Sequence, residues 1–243
     1  MRLQIDQARV TLRRLLAEFV VVTMGVLTAL AADNWNDGRK ERALGQSFRA
    51  SIALDMEQNV REVERTIRQA GSHKASLMRV IAGIETGESQ WSTSDAFVED
   101  LVHCTYLGLP RLSSIAFDEL RGTGSMRLLR DDQLQRRLSE YYADFEYHSQ
   151  FHAEYRRKEA AVEEALLGLL PLDERIALSD RSGDAESPLG SSVDIAKWLA
   201  EMRARPQLVD RLEDMVWVQH RIATRYVRTL DESEALRQLL AHP

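Results

Sequence analysis

The chain has 243 residues, of which 44% are hydrophobic and 29% are charged, so it can bury a substantial core in one or two domains. Its 12 glycines and 5 prolines favour long helices over a β fold that is rich in turns. A net charge of −6 argues against a nucleic-acid partner, and the single cysteine, Cys104, excludes an intramolecular disulfide.

Residues 15–32 form an apolar run, LLAEFVVVTMGVLTALAA, whose one charged residue is Glu18. As a helix this run is about 27 Å long, close to the roughly 30 Å core of a bilayer. With Trp35 as an interfacial aromatic residue, the pattern predicts a basic segment over 1–14 and a transmembrane helix over 15–35. The basic residues before the run predict a cytoplasmic N-terminus, and hence a single-pass inner-membrane protein whose remaining domain is periplasmic.

The same run admits other interpretations. Ala29-Leu30-Ala31 fits the cleavage site of a signal peptide, but the run is longer than the apolar part of a typical signal, which favours an uncleaved anchor. Glu18 is either an ion ligand within the membrane or a partner of Arg14 near the headgroups. Gly25 and Ala29 share one helix face, which favours self-association of membrane helices.

Two blocks of the chain resemble a known family. Residues 18–59 contain DNWNDGRK directly after the apolar helix, and residues 114–142 read SIAFDELRGTGSMRLLRDDQLQRRLSEYY. Both blocks are similar to an uncharacterised bacterial family of small membrane proteins, which is known as a domain of unknown function. The resemblance implies a helical protein anchored in a bacterial membrane, and it implies no activity.

Beyond the apolar run, the periodicity is helical throughout. Residues 43–85 carry apolar side chains at spacings of three and four, with a candidate break at Gly71-Ser72-His73. Short helices are predicted to begin near Thr93 or Ser94 and near Ser113 or Ser114, the second of them ending at Gly122.

A long helix is predicted over residues 132–170, with an unbroken alternation of three and four between its apolar positions. Residues 172–192 read as a flexible loop, and Pro206 begins a last long helix. No stretch alternates like a strand. The predicted fold is therefore all-α, with a single N-terminal transmembrane helix leading into an antiparallel helical bundle over 36–243 that contains long coiled-coil-like helices.

His148 and His152 are the candidate metal ligands, because two histidines at i and i+4 on one helix face can chelate zinc or iron. The chain has neither an H-E-x-x-H motif nor a Glu-x-x-His motif, so a polar layer that contains both histidines and Gln219 is the favoured interpretation. No nucleophile, Rossmann or phosphate-loop motif is present. We expect no enzymatic activity and no cofactor.

Three functional hypotheses follow. The first is a scaffold or sensor that acts through protein contacts in the cell envelope, with the lipid bilayer, a second copy and an unidentified envelope protein as partners. The second is a homo-oligomeric channel or transporter subunit lined by the N-terminal helix, in which Glu18 sets cation preference. The third is a helical domain that binds a metal or another ligand at His148 and His152.

Overall fold

The computed structural model describes residues 2–169 and 194–241, and it describes side chains from Phe19 onward except those of Val20 and Leu167. Over these residues the protein is all-α and contains no strand, as predicted. The predicted loop over 172–192 lies outside the described residues. The helices are α1 (Arg2–Thr86), α2 (Ser94–Cys104), α3 (Ile115–Gly122), α4 (Asp132–Ser149), α5 (His152–Leu167), α6 (Ile195–Arg203) and α7 (Pro206–Ala241), with a 3₁₀ helix over Ser125–Leu129.

Helix α1 is a single helix of 85 residues, about 130 Å long at 1.5 Å per residue. It runs without interruption through the predicted boundary between positions 35 and 36. It also runs through Gly71-Ser72-His73, so the predicted break there is wrong. Gly71 has open space around its missing Cβ position, and His73 is buried, so this turn is held by packing on one side only.

The predicted localisation requires a membrane span, and the structure contradicts it. Among the residues that the structure describes, no helical stretch combines the length and the apolar character that crossing a bilayer demands. The apolar stretch of α1 with described side chains, residues 19–32, is about 21 Å long, which is short of a core of about 30 Å. Glu18 and the preceding side chains of the predicted span lie outside the described side chains.

The predicted helix over 132–170 is two helices, because the chain turns at Gln150 and Phe151 between α4 and α5. The Ser149 hydroxyl donates to the Glu146 carbonyl oxygen at 2.7 Å, and such a bond back to the preceding turn often bends a helix. The Phe151 N–H donates to the His148 carbonyl oxygen at 3.2 Å, which tightens the last turn of α4. A continuous coiled-coil helix over this range is therefore not present.

Helices α1 and α7 form the centre of the body and run antiparallel. The second half of α1 packs on the first two-thirds of α7, and the middle of α1 packs on the end of α7. The buried side chains fall into two groups. The distal core includes Val63, Leu77, Ile84, Phe97, Leu101, Val162, Leu166, Leu199, Leu208, Leu212 and Met215. The proximal core includes Phe48, Ile52, Met56, Phe117, Leu120, Leu134, Leu138, Tyr141 and Leu236.

The helix starts follow the capping residues that the sequence indicates. Thr93 accepts a hydrogen bond from the Ala96 N–H at 3.2 Å, and Asp131 accepts one from the Leu134 N–H at 2.9 Å. Pro206 occupies the first position of α7. A backbone N–H at this position has no acceptor within the helix, so proline, which lacks the N–H, loses no hydrogen bond there. These local rules fix where the helices begin, and the two cores fix how they pack.

Candidate functional site

Residues 19–40 of α1 project beyond the body, and we call them the N-terminal projection. The body begins where Glu41 pairs with Arg127 at 3.3 Å and where Phe48 enters the proximal core. Eight large apolar side chains of the projection are more than half exposed, at 53–71%. They are Phe19, Val21, Val22, Met24, Val26, Leu27, Leu30 and Trp35.

The predicted membrane and oligomer residues lie on this projection. Trp35 is 63% exposed, Ala29 is exposed, and Gly25 has no heavy atom within 4 Å of its missing Cβ position. None of these three positions therefore contacts another described part of the chain. The side chain of Glu18 lies outside the described side chains.

His148 and His152 do not share a partner. His148 lies in the last turn of α4 and His152 begins α5, and the turn at Gln150 separates them. The His152 Nε2 and the Tyr226 hydroxyl are 2.7 Å apart. No group of three or more potential metal ligands occurs in the described part of the chain, so the structure gives these two histidines no further protein ligands.

The predicted polar layer is also divided. The Gln219 Nε2 donates to the Tyr106 carbonyl oxygen at 2.9 Å and forms no hydrogen bond with His148 or His152 among the described residues. Glu159 on α5 accepts a hydrogen bond from the Leu107 N–H at 2.8 Å. Both side chains therefore fasten the segment after α2 to the body rather than completing a site with the histidines.

A polar cleft of about 250 Å³ lies between α4 and α7, with His148 in its wall. Two ion pairs cross it: Arg137 to Glu232 at 2.8 Å and Arg228 to Asp144 at 3.0 Å. Its wall includes Arg137, Glu140, Asp144, His148, Arg225 and Arg228. We call it the α4–α7 cleft.

Three buried nitrogen atoms at or beside the α4–α7 cleft have no hydrogen-bond partner in the structure: Arg225 Nη1, His148 Nδ1 and Arg221 Nε. Burial, and next the cation of Arg225, lower the pKa of His148 below its ordinary value, and Arg228 and Arg221 act in the same direction. Asp144 alone opposes them. Three arginine cations and one carboxylate therefore act on the imidazole of His148.

A second polar cluster, which the sequence analysis missed, lies between α1 and α2. Asp100 accepts hydrogen bonds from Arg79 Nε at 2.7 Å, from Arg79 Nη2 at 2.6 Å and from Trp91 Nε1 at 2.7 Å. Burial by itself raises the pKa of Asp100, but the donors outweigh it and hold the pKa below its ordinary value. The hydroxyl of Ser76 links this cluster to His103 at 3.2 Å.

His73 closes the same cluster on its other side. Its ring is 5.0 Å from the His103 ring and 5.3 Å from the Tyr106 ring, and its Nδ1 has no hydrogen-bond partner. Burial, and next the proximity of His103, lower the pKa of His73 to about 4. No signal in the sequence pairs His73 with His103, because they lie on different helices.

Comparison with known proteins returns no relatives. No protein-family model matches the chain, and no curated protein and no solved structure matches it significantly. The family resemblance of residues 18–59 and 114–142 stays a prediction.

Proposed function

We propose that this protein is a helical scaffold that self-associates through its N-terminal projection. The observation that carries the proposal is the row of eight exposed large apolar side chains between Phe19 and Trp35. An apolar surface of this extent on a monomer marks an interaction site. The occupant that we assign to it is the projection of a second copy.

Hydrophobic burial is large enough to support such a contact. Full burial of one large apolar side chain contributes about 1.5–3 kcal/mol, and these eight side chains are already partly covered by their own helix. Burying half to most of what remains exposed on the five side chains that lie in or beside a two-helix seam contributes on the order of 3–6 kcal/mol before the cost of association. An isolated projection gains none of this free energy.

The sequence of the projection fits a parallel pair of helices. Met24, Leu27, Ala31 and Asn34 follow one another at spacings of three, four and three, which is the spacing of a two-helix seam. Beside the seam, Asp37 of one copy faces Arg42 of the other, five positions further along the chain, as flanking charges do in parallel coiled coils. The two bodies then lie at the same end of the assembly.

Sedimentation equilibrium of the full chain tests the proposal. We expect a dimer or larger oligomer at micromolar concentration, and Leu27→Glu shifts it to monomer because the substitution places a carboxylate in the seam. Leu54→Glu is the matched control, since Leu54 lies on the same helix and is 68% exposed, but it is on the body. A monomeric wild type, or equal effects of both variants, contradicts self-association through the projection.

A disulfide assay tests the orientation. In Met24→Cys the two introduced thiols meet in a parallel pair, and oxidation gives a covalent dimer. In an antiparallel pair centred on the projection they lie about 16 Å apart along the helix axis, and no disulfide forms. The native Cys104 does not interfere, because it is fully buried and burial raises the pKa of its thiol. A monomer that instead co-sediments with phosphatidylcholine vesicles gives the projection a different occupant and overturns the proposal.

The channel hypothesis and the metal hypothesis are not part of this proposal. The channel hypothesis needs a membrane span. The metal hypothesis needs ligands beyond His148 and His152, and the described residues do not supply them. That the protein is not an enzyme stays a prediction.

A further inference from the structure

We propose that the segment between α2 and α3 is an acid-released strap, which detaches from the body when His73 takes up a proton while the two cores stay folded. The segment covers residues 105–112, and we call it the strap. Leu107 is its one buried member of the distal core. The strap contains no residue of the projection, so this proposal does not rest on self-association.

The backbone of the strap is held by side chains. Residues 107–112 form no hydrogen bond with another backbone group in the described part of the chain. The Leu107 N–H donates to Glu159 Oε1 at 2.8 Å, and the Arg111 N–H donates to Glu62 Oε1 at 3.1 Å. Because these contacts come from α5 and α1 rather than from a continuous ladder, the strap can open without melting a helix.

Ser113 fastens the end of the strap next to α3. Its N–H donates to Asn59 Oδ1 at 2.7 Å, and its carbonyl oxygen accepts from Asn59 Nδ2 at 3.0 Å and from the Tyr142 hydroxyl at 2.8 Å. The hydroxyl of Ser113 donates to Asp55 Oδ1 at 2.6 Å. The two ends of the strap, at α2 and at Ser113, therefore stay in place when the strap detaches.

His73 lies beneath the strap. It is 5% exposed on α1, and its ring is 5.3 Å from the ring of Tyr106 on the strap, which is 50% exposed. The Nδ1 of His73 is buried without a hydrogen-bond partner. An imidazolium carries an N–H on both ring nitrogens, so under the closed strap one of them has no acceptor. When Tyr106 moves away, water supplies the acceptor.

The groups that face His73 oppose its protonation. The ring of His103 on α2 lies 5.0 Å from the ring of His73. The nearby pair of Arg79 and Asp100, linked to His103 through the hydroxyl of Ser76, is neutral overall. No carboxylate acts on His73 among the described residues. The imidazolium is therefore more stable in the open state, where water reaches it.

Glu62 keeps the strap closed at neutral pH. It pairs with Arg65 at 2.7 Å and accepts the Arg111 N–H. Burial by itself raises the pKa of Glu62, but these donors outweigh it and hold the pKa below its ordinary value. Glu62 thus stays charged through most of the range in which the imidazole titrates, and the release at mildly acidic pH depends on the imidazole.

Hydrogen exchange of the full chain at pH 7.5 and 4.5, read at single residues and corrected for intrinsic rates, tests the proposal. We expect the protection of the Leu107 and Arg111 N–H groups to fall between about tenfold and a hundredfold, because a pKa of about 4 in the closed state rises towards 6.5 in the open state. His73→Gln removes most of this fall. His220→Gln is the control, since His220 is exposed on α7.

A second variant removes one contact of the strap at constant pH. Glu159 also pairs with Arg156 at 2.8 Å, and at pH 7.5 we expect Glu159→Ala to lower the protection of the Arg111 N–H about tenfold, although Glu159 does not bind that group. Glu163→Ala is the matched control, because Glu163 is exposed on the same helix. A loss confined to the Leu107 N–H would show that the strap does not open as one unit, and it overturns the proposal.

The N–H of Ile222, in the part of α7 that belongs to the distal core, separates opening of the strap from global unfolding. We expect it to stay at least about a hundredfold more protected than the strap at both pH values. Equal protection of Ile222 and the strap, or the same fall with pH in wild type and His73→Gln, overturns the proposal.

Discussion

Asp100 and His73 show how single side chains stabilise the junction of α1 and α2. The carboxylate of Asp100 accepts three hydrogen bonds from two side chains, so a charge with only 7% of its side chain exposed is fully compensated. The imidazole of His73 is compensated only while it is neutral, because its Nδ1 has no partner and His103 lies 5.0 Å away. The junction therefore tolerates the buried carboxylate and resists a second proton on His73.

This difference predicts a dependence of stability on pH. The pKa of His73 is about 4 in the folded protein against an ordinary value of 6.5, so the unfolded chain binds more protons between these values. The contribution of neutral His73 to the free energy of unfolding is complete above pH 6.5 and is lost as the pH falls towards 4. Between pH 7.5 and 4.5 we expect wild type to lose about 2–3 kcal/mol more unfolding free energy than His73→Gln.

Urea unfolding at the two pH values measures this loss. His220→Gln is the control, because His220 is exposed on α7. Parallel pH dependences for wild type and His73→Gln would show that His73 does not titrate in this range.

At the scale of elements, α1 owes its position to glycine as well as to its apolar stripe. A Cβ on Gly45 would lie against the carbonyl oxygen of Leu128, closer than van der Waals contact allows. The 3₁₀ helix can approach α1 only because Gly45 has no side chain, and Leu128 then enters the proximal core. The ion pairs of Glu41 with Arg127 and Arg130 lie one turn earlier, at the end of the projection.

Two glycine substitutions on α1 separate this contact from helix propensity. We expect Gly45→Ala to lower the free energy of unfolding by about 1–3 kcal/mol, because the backbone of the 3₁₀ helix must move away. Gly38→Ala has no heavy atom within 4 Å of its new Cβ, so we expect it to raise the free energy by up to about 1 kcal/mol. Chemical denaturation measures both changes in free energy, provided that the slope of free energy against denaturant concentration stays the same. Equal effects of the two substitutions would contradict the close contact between Gly45 and Leu128.

At the scale of the whole molecule, two cores share two helices. Helix α1 contributes Ile52 to the proximal core and Ile84 to the distal core, and α7 likewise passes through both. Asn59 lies between the two cores and exchanges two hydrogen bonds with the backbone of Ser113, at 2.7 and 3.0 Å. The same two helices therefore complete both cores.

We therefore expect the body to unfold in one transition. In a Trp35→Phe background, the remaining tryptophans, Trp91, Trp198 and Trp217, lie outside the proximal core, and their fluorescence reports on the distal part of the body. Ile52→Val removes one methylene from the proximal core and costs about 1 kcal/mol. It should lower the transition detected by fluorescence as much as the one detected by circular dichroism.

Ile84→Val is the matched control for this experiment, since Ile84 lies on the same helix in the distal core. It should displace the fluorescence transition whether the two cores unfold together or independently, because that signal reports on the distal part of the body. A fluorescence transition that Ile52→Val leaves in place would show that the two cores unfold independently.

The sequence by itself determined the local structure of this protein. The spacing of apolar residues over 43–85 identified a helix, and Thr93 and Pro206 identified two helix starts, because periodicity and capping depend on residues within one or two turns. The same local rules failed at Gly71 and at Gln150. At Gly71 packing on one side kept α1 continuous, and at Gln150 hydrogen bonds from Ser149 and Phe151 to the preceding turn ended α4.

Only the tertiary structure decided which polar groups meet. Asp100 and Arg79 are 21 residues apart, and His152 and Tyr226 are 74 apart, so no local spacing reveals either pair. The α4–α7 cleft exists because α7 returns antiparallel along the body and brings Arg225 beside His148. Long-range contacts depend on how whole faces pack, and that arrangement is a property of all the helices together.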